Sequence, residues 1–157
     1  MGLDIRAYSN VRNVKESNDE DCDVYYSCAE YFPQSKVSKF NNSDVCYSFD
    51  YDEYYNNYHS SYGSYNSLRN YICQAVNNIS DKEFWELNDN TLPLYYFINF
   101  SDCEYFIDSK YCEIIYQDFV KYDDIFKSSL EGYWKAKYED IKESFNIGRQ
   151  DGFVEYS

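Results

Sequence analysis

Two adjacent segments of the C-terminal third carry large apolar residues at helical spacing, and they constrain the fold more than any other feature of the chain. Side chains three or four positions apart lie on one face of a helix, so each segment predicts a helix with one buried stripe. The stripe residues are Cys112, Ile115, Phe119, Tyr122 and Phe126 in the first segment and Trp134, Tyr138, Ile141 and Phe145 in the second. Ser128 and Glu131 have the spacing of a capping box, and the short connection predicts an antiparallel helical hairpin.

Strand patterns lie at both ends of the chain and in its middle. Residues 3–7 alternate apolar and polar side chains, and residues 153–156 follow a glycine-containing turn. Residues 23–28 and 45–49 are rich in β-branched and aromatic side chains, which favour strands. The pattern therefore predicts a small, mostly antiparallel sheet.

The apolar run at residues 94–100 is predicted as the central strand of that sheet. It ends in four small, polar or ionisable residues, which are Ser101, Asp102, Cys103 and Glu104. Residues that follow core elements often carry function, so these four form a candidate site. In the structural alternative, Asp102 and Glu104 cap the next helix and bind Arg69 or backbone amides.

A central helix is predicted from Leu68 to Ile79, where apolar residues again recur at spacings of three and four, with Ser64 or Asn66 as its cap. Ser80 and Glu83 form a capping box that predicts a second, short helix.

These elements predict a single α+β domain over residues 1–157. Its sheet is packed on one face by the central helix and by the C-terminal helical hairpin. Residues 50–58 show no apolar period and are predicted as a loop or an exposed edge.

Acidic residues dominate the charge of the chain, with 28 Asp and Glu against 14 Lys and Arg and a net charge of -14. The Tyr-rich segment 15–58 holds ten acids and three lysines, and so carries half of that charge. Such a field repels phosphate backbones and attracts basic surfaces, which argues against direct binding of nucleic acid. The alternative is that the acidity serves only solubility.

The acids and tyrosines of this segment define a candidate partner-binding surface, because exposed tyrosines anchor interfaces and the acids complement a basic partner. Its predicted residues are Asp19, Glu20, Asp21, Asp50, Asp52, Glu53, Tyr54 and Tyr55.

The six cysteines include no Cys-x-x-Cys pair, and His59 is the single histidine, so neither a metal site nor a cofactor is expected. Most of the thiols are predicted to be small buried hydrophobes. The chain shows no apolar leader and no run of about 18 apolar residues, which predicts a cytoplasmic protein without membrane contact.

The hydroxyl-rich turn before the central helix offers a possible ligand pocket. Its rings and hydrogen-bond donors, together with acceptors from the end of the predicted central strand, suit a nucleotide-like ligand that is held without turnover. The predicted residues are Tyr62, Tyr65, Asn66, Arg69, Ser101, Asp102 and Glu104.

Catalysis would need a nucleophile beside a base, with Cys103 and His59 as the candidates and Glu104 as an acid. Nothing in the sequence places them together, and neighbouring carboxylates raise the pKa of a thiol. The chain is therefore not expected to be an enzyme, and a small hydrolase using Cys103 and Glu104 is the least favoured alternative.

Four blocks of the chain resemble a family of uncharacterised activity from phage and prophage genomes. The family opens with Met-Gly-Leu-Asp-Ile-x-Ala-Tyr, has a middle block close to Gly-Ser-Tyr-Ser-Gly-Tyr-Asn-x-Trp-Arg, then Ile-Asn-Phe-Ser-Asp-Cys-Glu-Gly, and closes near Asp-x-Gly-x-Val-x-Phe. The matches are Met1 to Ile5 with Ala7 and Tyr8; Ser61, Tyr62, Tyr65, Asn66 and Arg69; residues 98–104; and Gly152, Val154 and Tyr156.

The chain departs from the family pattern at several positions, where glycine is replaced at Ser60, Tyr105 and Asp108, a Ser-Gly pair is inverted as Gly63-Ser64 and a Trp is replaced by Leu68. A side chain in place of glycine would crowd a pocket that relies on close backbone approach. The resemblance thus implies a phage context and a shared site, but no reaction.

These observations predict a phage-encoded, anti-CRISPR-like inhibitor that binds a defence protein of the host bacterium through an acidic, Tyr-rich surface. The partner is expected to have a basic surface that binds nucleic acid. The acidic surface of the inhibitor is expected to mimic that nucleic acid. The alternative is a protein that sequesters a nucleotide-like immune signal in the Tyr62–Arg69 pocket.

Overall fold

A computed structural model describes residues 2–27, 35–100 and 105–157 of the chain. It is an α+β fold with a C-terminal helical pair, as predicted. The strands are β1 (Gly2–Tyr8), β2 (Arg12–Ser17), β3 (Val24–Tyr26), β4 (Val45–Asp50), β5 (Tyr54–Ser61), β6 (Tyr105–Asp108) and β7 (Phe153–Tyr156). The helices are α1 (Tyr62–Asn77), α2 (Asp81–Leu87), α3 (Tyr95–Asn99), α4 (Ser109–Ser129) and α5 (Gly132–Gly148), with a 3-10 turn at Asp19–Asp21.

The strands form two sheets rather than one. The larger sheet has the order β5-β1-β7-β6, and the smaller has the order β2-β4-β3. Every described pairing is antiparallel. The chain termini meet in the larger sheet, where Ile5 of β1 is paired with Tyr156 of β7.

The larger sheet separates two hydrophobic cores, because alternate residues of its strands point to opposite faces. Val154 and Tyr156 belong to the core that is shared with the helices. Phe153 belongs to the second core, where Tyr8 and Phe106 pack with residues of the smaller sheet. The molecule therefore has three layers, with the helices on one side of the larger sheet and the smaller sheet on the other.

The prediction of a central strand at residues 94–100 is wrong. The segment forms the short helix α3, in which the Ile98 amide donates to the Leu94 carbonyl and the Phe100 amide to that of Tyr96. Leu94 enters it in the left-handed conformation, with its amide bound to the Asp118 carboxylate. The strand that follows is β6, which sequence reasoning missed.

Residues 50–58 include the start of β5, which pairs with β1 and is an outer strand of the larger sheet. The exposed-edge interpretation is therefore confirmed, and the loop interpretation is wrong from Tyr54 onward.

The helix boundaries confirm one predicted cap and correct two others. Ser80 and Glu83 form the predicted capping box. Helix α1 begins earlier than expected, because the Ser61 side chain accepts from the Ser64 amide. The second predicted box is absent, since Ser128 lies within α4 and its hydroxyl donates to the Ile125 carbonyl.

The turn before β7 crosses the end of β1 so closely that only glycine fits. A Cβ atom on Gly152 would overlap the Tyr8 carbonyl, which is backbone and cannot rotate away. The Asn10 amide donates to the Gln150 carbonyl at 2.7 Å and holds the two segments together.

We expect Gly152→Ala to lower the free energy of unfolding by about 3 kcal/mol or more, because the added methyl group forces the backbone apart. Urea denaturation of the purified variant measures the loss. Gly63→Ala is the matched control, since its nearest contact would be the Ser61 hydroxyl at 3.9 Å. Equal stability of the two variants would contradict this packing.

The helical hairpin is joined by a polar cluster around Asp123. This carboxylate is 2.8 Å from the Lys127 ammonium and 2.9 Å from that of Lys142, and it accepts from the Tyr138 hydroxyl at 2.7 Å. Burial opposes its ionisation, but the three hydrogen bonds outweigh burial and lower its pKa to about 2.

The lowered pKa of Asp123 predicts how the stability of the protein changes with pH. Above the usual carboxyl pKa of 3.8 the cluster contributes its full stability, and the contribution is lost as pH falls towards 2. Asp123→Asn should lower the free energy of unfolding by roughly 2 kcal/mol at neutral pH. It should also reduce the loss of stability between about pH 4 and pH 2. Urea denaturation at a series of pH values measures both effects. The exposed neighbour Asp124→Asn is the control, and an equal effect of both variants would refute the assignment.

Candidate functional site

The predicted partner-binding acids lie in two groups at opposite ends of the smaller sheet. Ser17 pairs with Cys46 near the Asp19–Asp21 turn, whereas Arg12 pairs with Asp50 at the other end. Four strand intervals separate Cys46 from Asp50, which corresponds to roughly 13 Å. The acids are thus distributed along the sheet rather than gathered at one point.

The second group is largely engaged by neighbouring side chains. The Asp50 carboxylate accepts from the Asn13 amide group at 2.7 Å, and Asp52 accepts from Arg12 and Asn10, each at 2.9 Å. Part of its charge is therefore neutralised locally. Glu20 and Asp21, in contrast, are exposed and form no ion pair with any residue of the described ranges.

The two predicted tyrosines have different environments. Tyr54 is 46% exposed and packs against the rings of Tyr8 and Tyr51. The Tyr55 hydroxyl instead donates to the Asp140 carboxylate of α5 at 3.0 Å. Sequence reasoning missed Tyr25, which at 56% is more exposed than either.

An acidic groove lies on the outer face of the smaller sheet, with a volume of about 640 Å³. It is lined by Lys15, Glu16, Ser17, Asn18, Glu20, Asp21, Cys22, Asp23 and Ser48. Four carboxylates against one ammonium give these side chains a formal charge of about -3 at neutral pH. Tyr25 pairs in the sheet with Cys46, whose disulfide partner Cys22 lines the groove, so the exposed side chain lies on the same face of the sheet as the groove.

The Cys22–Cys46 disulfide differs from the predicted role of the cysteines as isolated buried thiols. It ties the acidic turn to β4. Cys73 and Cys112 are buried and unpaired, as predicted, and burial raises the pKa of the Cys73 thiol to about 11. Cys103 lies outside the described residues.

Two residues of the predicted ligand pocket are buried in the core. Tyr65 is fully buried, and its hydroxyl donates to that of Tyr156 at 3.1 Å. Arg69 is 5% exposed. Tyr62 and Asn66 are half-buried, and they are the members of this set in the described ranges that remain partly accessible.

Arg69 joins α1 to the end of α3. Its guanidinium donates to the Phe100 carbonyl at 2.6 Å and to Asn66 at 2.5 Å, and it lies 5.0 Å from the centre of the Trp85 ring. The predicted tie from Arg69 to Asp102 and Glu104 falls outside the described residues, as does Ser101.

His59 is exposed and lies on the outer strand β5. Its Nδ1 atom is 2.7 Å from the Asp4 carboxylate of β1. Among residues 2–27, 35–100 and 105–157, no group of three or more His, Cys, Asp or Glu side chains is arranged to hold a metal ion.

A cleft between the two sheets has no counterpart among the sequence predictions. It has a volume of about 300 Å³, and it contains Arg6 of β1 and Glu155 of β7, which are neighbours in the larger sheet. Burial raises the pKa of the Glu155 carboxyl, and Arg6 opposes that rise only in part. Both residues occur in predicted strands, but the sequence did not predict a second sheet. That sheet covers the face that Arg6 and Glu155 share and so forms the cleft.

A separate, mainly apolar groove of about 440 Å³ lies between α1 and the α4–α5 connection. Leu68 and Trp134 form much of its walls, and the Tyr71 hydroxyl donates to that of Ser129 at 2.6 Å beside it.

No family model, curated protein or solved structure matches the chain. Within the described residues, no helix has the length and apolar character needed to cross a membrane. The interpretation of the sites therefore depends on their own geometry.

Reduction of the Cys22–Cys46 disulfide should lower the free energy of unfolding by roughly 3 kcal/mol, because the bond closes a loop of intermediate length in the unfolded chain. Urea denaturation with and without a reducing agent measures the difference. The Cys22→Ser/Cys46→Ser double variant should resemble the reduced wild type and should not respond to the agent. Insensitivity of the wild type would contradict the pairing.

Proposed function

We propose that this protein is a stoichiometric inhibitor that binds a basic surface on a partner protein through its acidic groove. The observation that carries the proposal is the groove on the outer face of the smaller sheet, with four carboxylates and one lysine, and with the exposed Tyr25 on the same face. Complementary charge accelerates encounter with a basic surface, and a tyrosine ring adds contact area at low entropic cost.

The class of partner follows from the same charge. A surface that grips nucleic acid is rich in Lys and Arg, so an acidic protein competes for it while being repelled by nucleic acid itself. The resemblance to phage proteins supplies the context, in which the partner is a defence protein of the bacterial host and binding takes place in its cytoplasm. A reducing cytoplasm would open the Cys22–Cys46 disulfide, so binding is to be measured for both redox forms.

The nucleotide-binding alternative gains no support from the described contacts. Tyr65 and Arg69 would have to leave the core to reach a ligand. The hydrolase alternative needs Cys103, which lies outside the described residues.

We expect Glu20→Lys/Asp21→Lys to weaken binding of the partner by about tenfold or more, since both side chains line the groove and neither forms an ion pair with a described residue. The partner is captured from a lysate of a host with its native defence systems and purified. Dissociation constants are then measured at low and high salt, and inhibition of the partner is assayed in parallel.

Asp124→Lys/Glu139→Lys is the matched control, because it changes the net charge equally on the exposed surface of α4 and α5. It should leave affinity within about threefold of the wild type, since distant exposed charges are screened. Unchanged binding by the groove variant, or binding that does not weaken with salt, would refute the proposal.

A further inference from the structure

The cleft between the two sheets contains a buried carboxylate with an unused acceptor. Glu155 is only 7% exposed, and its Oε2 atom has no hydrogen-bond partner among the described residues. The nearest cation is the Arg6 guanidinium at 3.7 Å, which is too long for a hydrogen bond. A buried acceptor without a donor is costly, so the site favours a molecule that supplies one.

The same cleft contains a guanidinium with unused donors. Arg6 lies between Glu155 and Asp4, at 3.7 Å and 3.8 Å, and it donates no hydrogen bond to any residue that the structure describes. About one third of its side chain is exposed. A guanidinium fork matches a carboxylate in two parallel hydrogen bonds.

The remaining walls of the cleft combine apolar and polar groups. Val24 and Phe106 provide apolar surface, and Tyr25 lines the side formed by β3. The Ser157 hydroxyl also lines the cleft and is buried without a partner in the described ranges. An incoming molecule would therefore find one donor fork, one buried acceptor, a hydroxyl and an aromatic surface.

We propose that this cleft binds a small zwitterion of the amino-acid class. The ligand carboxylate would take the Arg6 fork, and the ligand ammonium would donate to Glu155 Oε2. The α-carbon of an amino acid carries both groups, so they can meet two protein groups that are themselves 3.7 Å apart. The ligand side chain would lie against Tyr25, Val24 and Phe106.

Charge and size select this class over others. Among the side chains of the lining, Asp23 and Glu155 against Arg6 give an excess of one carboxylate, which disfavours a simple anion. A simple cation would leave the Arg6 donors unused. The volume of about 300 Å³ is at the lower end of the range for ligand pockets, which suits a single amino acid better than a nucleotide. This inference does not depend on the proposed inhibitor function.

The test is isothermal titration of the full chain with each standard amino acid. At least one should bind saturably, and its analogues lacking the amine or the carboxylate should each bind about tenfold more weakly or worse, because one protein group is then left unpaired. If no amino acid binds, or if one of these analogues binds equally well, the assignment is overturned.

Two variants separate the site from general effects on folding. Glu155→Gln keeps the side-chain size and Arg6→Lys keeps the positive charge, and each should reduce affinity by about tenfold. Glu139→Gln and Arg12→Lys, which lie outside the cleft, are the controls and should bind as the wild type does. Full affinity in both cleft variants would overturn the proposal.

Nuclear magnetic resonance of the wild type provides a measurement that needs no variant. The titrated amino acid should shift the amide signals of Val24, Tyr25 and Phe106. Shifts confined to other parts of the molecule would place the ligand elsewhere and refute the cleft as its site.

Discussion

The burial of β7 on both faces is the constraint on which the architecture depends. The strand lies between β1 and β6, and all four of its residues are buried. Val154 and Tyr156 require the helices above them, while Phe153 requires the smaller sheet below. A short strand of this kind cannot be stable with either layer removed, because one of its apolar faces would then meet water.

This arrangement assigns different tasks to the two faces of the smaller sheet. Its inner face, with Tyr47 and Phe49, completes the second core. Its outer face contributes no residues to that core, and it carries acidic residues and the exposed Tyr25. The cleft with Arg6 and Glu155 lies between the two sheets. Both candidate sites are thus consequences of adding a second sheet to an otherwise two-layered fold.

The parts of the fold that were predictable from sequence are those with long, local patterns. The stripes of α4 and α5 extend over several turns, so their period is unambiguous. The run at residues 94–100 is too short to show a period, because an apolar stretch of this length fits either a buried strand or a helix. In the structure, Leu94 adopts the left-handed conformation and helix α3 begins after it.

The candidate sites were less predictable because they depend on contacts distant in sequence. Glu155 is buried between the two sheets, and its nearest cation is Arg6, almost the whole chain away. Likewise, the burial of Tyr65 follows from its contact with Tyr156. The composition correctly identified an acidic segment, but not that Asp50 and Asp52 are held by Asn13 and Arg12 while Glu20 and Asp21 are free of ion pairs within the described residues.

The three-layered packing also gives the molecule two opposite responses to acid. Protonation of Asp123 removes the acceptor that joins α4 to α5, whereas protonation of Glu155 relieves a buried charge between the sheets. Acid therefore loosens the outer helical layer under conditions in which the interface between the sheets becomes more favourable.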